Sequence, residues 1–143
     1  MTREQWEETV PTSIREDPLW KMEAYRIGLF LSDLVWADAG KLLREPRTFS
    51  IADQICRACG KISACVAEGY SRGTGKDRAR FYEYALGSTR EARDWYYKSR
   101  FVLKEKVTQH RIDLATQLIR LLVRMVANER RRNRRLGAES ALD

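Results

Sequence analysis

The sequence has little of what catalytic and secreted proteins usually rely on. It holds one histidine, three cysteines and three prolines in 143 residues. With His110 alone, there is little from which to build a Ser–His–Asp or Cys–His arrangement. No Glu-x-x-His pair occurs, so the two-metal chemistry of carboxylate bundles has no ligand set. No stretch approaches the roughly 20 apolar residues of a membrane span. The most apolar early run, IGLFLSDLVWA, is interrupted by Asp33 and follows an acidic N-terminus, unlike a signal peptide. These absences lead us to expect a soluble, cytoplasmic chain with no membrane partner. An odd cysteine count with no disulfide framework fits a reducing compartment.

What is present suits one helical domain. Hydrophobic residues make up 43% and charged residues 33%, enough for a core and for solvated helix faces. Residues 1–17 show no period and are expected to be a tail. Asp17 before Pro18 resembles a helix start, and Ile27, Phe30, Leu31, Leu34 and Val35 then recur at helical steps to about Leu43. Pro46 breaks the pattern, and Ser50 is a candidate N-cap for the next helix. Ile51, Ile55, Ala58, Cys59, Ile62 and Val66 form one face of that helix, which Gly69 is expected to end. Thr74 with Asp77 resembles a capping box opening a third helix to about Lys106. After a break near Thr108, Leu114, Leu118, Leu121, Leu122 and Met125 mark a fourth. Short connections favour antiparallel neighbours, so the expected fold is all-α, an up-down-up-down four-helix bundle over residues 18–132. Residues 133–143 are expected to be an Arg-containing, frayed tail.

The cysteines fall within CRACGKISAC, on the second helix. At 100° per residue, Cys56 and Cys59 are neighbours while Cys65 lies on the opposite side. The three cannot converge on one ion, and a closed zinc site needs four ligands. Cys59 sits on the apolar face, where a free cysteine acts as a small hydrophobe. A small redox or metal enzyme would rest on Cys56 and Cys59 alone. GYSRGTGKD is not a nucleotide-binding loop: Tyr70 stands where the first glycine should, and Asp77 replaces the magnesium-binding hydroxyl. A weaker idea is that Arg72, Lys76 and the helix start near Gly75 hold a phosphate of a larger partner, against the plainer reading of a glycine-rich turn. No cofactor is implied.

Charge is the more informative feature. The net charge is +7. Arg93, Arg100 and Lys104 fall at offsets 0, 7 and 11, and Arg120, Arg124 and Arg131 at 0, 4 and 11. Arg130, Arg131, Arg132, Arg134 and Arg135 then cluster against one acid, Glu129. Such stripes could follow a phosphate backbone, with Tyr96, Tyr97 and Trp95 available to stack on bases. The plainer reading is a set of solvated helix faces. Glu68, Glu83 and Glu91 read as partners for arginines between helices or subunits.

The segment QICRACGKISACVAEGYSRGTGKDRARFYEYALGSTRE, residues 54–91, resembles the signature of the bacterial four-helix bundle proteins. This is the ribosomal RNA intervening-sequence family, which includes the accessory variability determinants of diversity-generating retroelements. Gln54, Arg57, Ala58, Ile62, Ala67, Glu68 and Gly69 match its first half. Arg80, Phe81, Ala85, Gly87, Ser88 and Glu91 match its second. Cys56 and Cys65 depart from it, standing where the family has Arg and Asn. Ser63 and Lys61 depart too, in place of Pro and a small residue. The resemblance implies an antiparallel bundle, a ring-shaped homopentamer with a basic surface, no catalytic activity and, for the accessory relatives, a reverse transcriptase and nucleic acid as partners. The expected function is thus a non-enzymatic oligomeric bundle that binds RNA or DNA, with Arg57, Arg72 and the basic residues above as phosphate contacts. The alternative is a protein–protein scaffold with no nucleic-acid role.

Overall fold

A computed structural model describes residues 1–142. Among them there is no strand. The chain forms α1 (Arg3–Thr9), α2 (Thr12–Arg15), a 3-10 turn (Pro18–Lys21), α3 (Glu23–Leu42), α4 (Phe49–Tyr70), α5 (Gly75–Lys98) and α6 (Arg100–Leu142). The all-α class follows as the 3.6-residue period requires. The long helices pack in sequence, α3 on α4, α4 on α5 and α5 on α6, and α6 returns to α3. Arg78 meets Glu129 and Arg93 meets Thr116, so α5 and α6 run in opposite directions. Among the described residues no helix is long and apolar enough to cross a membrane.

Residues 1–17 are folded where a tail was expected. Thr2 and Gln5 cap α1 reciprocally, at 2.9 and 3.2 Å. Trp6 is 4% exposed. Its indole Nε1 donates to Asp33 on α3 at 2.6 Å, and its ring centroid lies 5.1 Å from that of Phe30. A helix of two turns shows no period, so one tryptophan anchors it without leaving a pattern. Asp17 does accept from the Leu19 N–H at 2.9 Å, but it caps the 3-10 turn. Met22 is extended before α3 starts.

The turns differ from expectation in instructive ways. The residue before α4 is Thr48 rather than Ser50, and its hydroxyl donates back to the Leu42 carbonyl at 2.8 Å, closing the α3–α4 turn. Thr74 caps α5 as expected, accepting from Asp77 N–H at 3.2 Å. Gly69 lies inside α4 and does not end it. A Cβ there would stand 2.8 Å from Tyr82 and 2.9 Å from Phe81, so hydrogen at this position is what lets α5 close on α4. Gly69→Ala should therefore cost about 1–3 kcal/mol through overpacking. Gly60 on the same helix has open space around its Cβ position, and Gly60→Ala should add about 1 kcal/mol of stability. Urea unfolding of the two variants checks the opposite signs.

The α5–α6 junction is the main correction. The third helix stops at Lys98, well before Lys106, with Ser99 as its C-cap at φ −91°, ψ 0°. A single turn follows, and Lys104 then leaves helical geometry at φ 70°, ψ 167°. That region normally belongs to glycine. Neither residue is a sequence-level breaker, so the break was expected near Thr108. At the other end, α6 stays helical to Leu142, where a frayed tail was expected, and is solvent-exposed beyond Glu129 apart from a partly covered Arg130 face.

Candidate nucleic-acid interface

The basic residues divide into those neutralised within the chain and those left to solvent. Arg57 pairs with Asp53 at 3.0 Å, and Arg72 with Glu68 at 2.9 Å, both one turn apart on exposed helix surface. Arg72 also lies 4.7 Å from the Phe81 ring. Arg93 is half-buried and donates to Thr116 Oγ1 at 3.3 Å, joining α5 to α6. Arg130 donates through Nε to Glu83 at 3.1 Å, and a second, closer contact to the same oxygen comes from Nη2. Arg132 is 3.8 Å from Glu129. Glu68 and Glu83, expected at helix or subunit contacts, thus have arginine partners in their own chain. Glu91 is exposed beside Ser88, Gly87 and Lys61 on the α4–α5 surface.

The stripe of Arg93, Arg100 and Lys104 does not exist as one helix face. The chain turns at Ser99 and again at Lys104, so the helical offsets do not carry across. Arg100 instead rests 4.0 Å from the Tyr97 ring and 4.3 Å from the Phe101 ring. Lys104 Nζ donates to the Phe101 carbonyl at 3.0 Å. The phosphate idea at the start of α5 meets a different obstacle. Glu129 already lies there, its carbonyl 2.9 Å and its Oε2 3.2 Å from where a Gly75 Cβ would stand. Arg78 holds that carboxylate at 3.0 Å. A protein carboxylate takes the place offered to a phosphate near Lys76.

The fourth-helix stripe survives. Arg120, Arg124, Arg131 and Arg135 fall at offsets 0, 4, 11 and 15, within 60° of one another at 100° per residue. Arg134 extends the same side, and Glu129 points the opposite way, toward α5. All five arginines are exposed. Among the described residues, none of the five has a carboxylate within ion-pair distance. Arg131 alone has a neutral acceptor, Asn128 at 3.4 Å. From Arg120 to Arg135 the helix rises about 22 Å. Uncompensated guanidinium groups over that length make this face of the helix strongly positive.

A second constellation escaped the sequence reading. Asp38 is 1% exposed. It accepts from Tyr96 Oη at 2.9 Å and from Arg111 Nε at 2.7 Å, with Arg111 Nη2 on its other oxygen at 3.2 Å. Burial, aided by Asp38, pushes the Tyr96 phenol far up, so it remains a donor. Burial works against the charge on Arg111, but its bonds to Asp38 outweigh that and raise its pKa. Arg111 Nη1 donates to His110 Nδ1 at 2.6 Å, which leaves the imidazole proton on Nε2. Burial and the Arg111 charge lower the His110 pKa. The signal for this triad was an aspartate at a core-facing position, three residues after Val35 and seven after Leu31.

The cysteines behave as small apolar side chains. Cys59 is fully buried, and burial pushes its thiol far up. Burial also raises Cys56, with Asp53 adding to it, and Cys65, with Glu68 adding to it. All three shifts disfavour the thiolate that redox and metal chemistry need. Among the described residues no three His, Cys, Asp or Glu side chains gather as metal ligands.

Fold and surface together define an all-helical protein whose last helix presents an unpaired basic face. Residues 21–128 match the family model of the 23S rRNA-intervening sequence protein, and the chain belongs to that family. The match takes in α3 to α5 and most of α6, including Arg120 and Arg124. α1 and the arginines from Arg130 onward lie outside it. No curated protein and no solved structure matches the chain.

Proposed function

We propose that this protein is a non-enzymatic RNA-binding bundle whose phosphate contacts lie along α6. Its four long helices are read as an antiparallel up-down-up-down bundle, in keeping with their order of packing and the opposed α5–α6 pair. The single observation that carries the binding reading is the row of exposed arginines without acidic partners from Arg120 to Arg135. RNA is placed ahead of DNA because the family is named for an intervening sequence in ribosomal RNA. The homopentamer and the reverse-transcriptase partnership rest on the family resemblance alone.

The test is a titration of labelled structured RNA and duplex DNA at low and near-physiological salt. Binding through several phosphates should weaken on the order of a thousandfold or more between 50 and 200 mM salt. The double variant Arg120→Glu with Arg124→Glu should bind at least roughly tenfold more weakly while melting at the wild-type temperature. Binding that ignores both salt and these substitutions would sink the reading.

A scaffold reading has its own support in exposed aromatics. Trp36 is 85% exposed and Phe49 61%, more apolar surface than isolated helices need to show. Salt-insensitive, weak RNA binding together with a partner-dependent loss of Trp36 exposure would favour it.

A further inference from the structure

The strained junction between α5 and α6 holds a second set of groups, at the opposite end of α5 from the Arg130–Arg135 cluster. Phe101 is 73% exposed and Tyr97 54%. Both rings are anchored on one side by the Arg100 guanidinium, at 4.3 and 4.0 Å. A groove beside them is lined by Glu105, Thr108, Gln109 and Ile112. Thr108 is more than nine-tenths buried in its wall, and its hydroxyl has no hydrogen-bond partner among the described residues. The cause is local. A helical threonine usually turns its hydroxyl onto the carbonyl four residues back. For Thr108 that residue is Lys104, whose backbone has left the helix.

An unpartnered buried hydroxyl costs stability, and so does a lysine at φ 70°. Both fall within the seven residues that follow Phe101. Gln109 Nε2 is engaged with Asp113 at 2.8 Å, so its Oε1 remains as an acceptor beside the Glu105 carboxylate. The groove therefore offers aromatic faces and two acceptors. Between residues 99 and 106, Arg100, Lys104 and Lys106 stand against one acid, Glu105, while Lys98 just before them pairs with Asp94 at 2.6 Å.

We infer that this junction is a stacking site for an unpaired nucleotide base. A flat base with an exocyclic amino group, adenine above all, would lie on the outer face of Phe101 or Tyr97. Its edge would meet the acceptors, while Arg100, Lys104 and Lys106 flank its phosphates. The inference rests on the RNA-binding reading and deepens it: the arginine face of α6 would hold the duplex, and this junction would select RNA with an extruded base.

Two hairpin RNAs separate the inference from that reading. One is fully paired. The other carries a single bulged 2-aminopurine, an adenine analogue whose emission falls when it stacks. With the full-length wild-type chain, both should bind, the bulged one more tightly and with quenching. Phe101→Ala removes an exposed ring, so folding should be unaffected. It should weaken the bulged RNA about tenfold, abolish quenching and leave the paired hairpin unchanged, and Phe101→Trp should restore both. Equal binding of both RNAs with no effect of Phe101→Ala overturns the stacking site but leaves the α6 surface standing. Failure of both RNAs to bind overturns both readings. Sedimentation showing that Phe101→Ala dissolves a self-association, with RNA binding unchanged, assigns the rings to a second copy and overturns the stacking site.

Discussion

Asp38→Ala should lower the unfolding free energy by about 3–5 kcal/mol, a large part of the 5–15 kcal/mol that holds a typical domain together. The variant removes the carboxylate that pairs with Arg111 in the interior. It leaves a guanidinium at 12% side-chain exposure without its charge partner and deprives the Tyr96 hydroxyl of its acceptor. Desolvating an unpaired cation is what makes breaking such a pair costlier than never having had it. The double variant Asp38→Ala with Arg111→Met should recover much of the loss, because an apolar pair owes no desolvation cost. Urea unfolding monitored by circular dichroism gives all three values. A single-variant loss below about 1 kcal/mol would mean that water reaches Arg111 and the pair is a surface bridge.

The largest effect on binding should come from Arg131→Gln, Arg134→Gln and Arg135→Gln combined. Each lost phosphate contact should make the slope of log affinity against log salt shallower by about 1. Glutamine matches arginine closely in helix propensity, and the three positions are exposed, so the fold should be untouched. The loss relative to wild type should be smaller near 200 mM salt than at 50 mM, which distinguishes lost ion contacts from lost shape. An unchanged slope would mean that the polyanion lies elsewhere.

Much of the fold was legible because the apolar period is strong where the core is. Ile55, Ala58, Cys59, Ile62 and Val66 are all buried as their spacing requires. The backbone errors fall where no local signal marks them: α5 ends at Ser99 and the chain leaves the helix at Lys104 with no glycine or proline, and Trp6 anchors a two-turn helix without a period. The arginine stripe on α6 was legible because nothing interrupts that helix between Arg120 and Arg135. The stripe across Ser99 was not, since offsets hold only within one continuous helix. The Asp38 triad depends on partners 58 and 73 residues away, and no local window joins them.

That last separation has a consequence for how the chain is made. Synthesis delivers Asp38 first, Tyr96 much later and Arg111 later still. Until α6 emerges, Asp38 has no cation to pair with, so a three-helix association that covers it is penalised. The segment that carries the arginines therefore also completes the polar core.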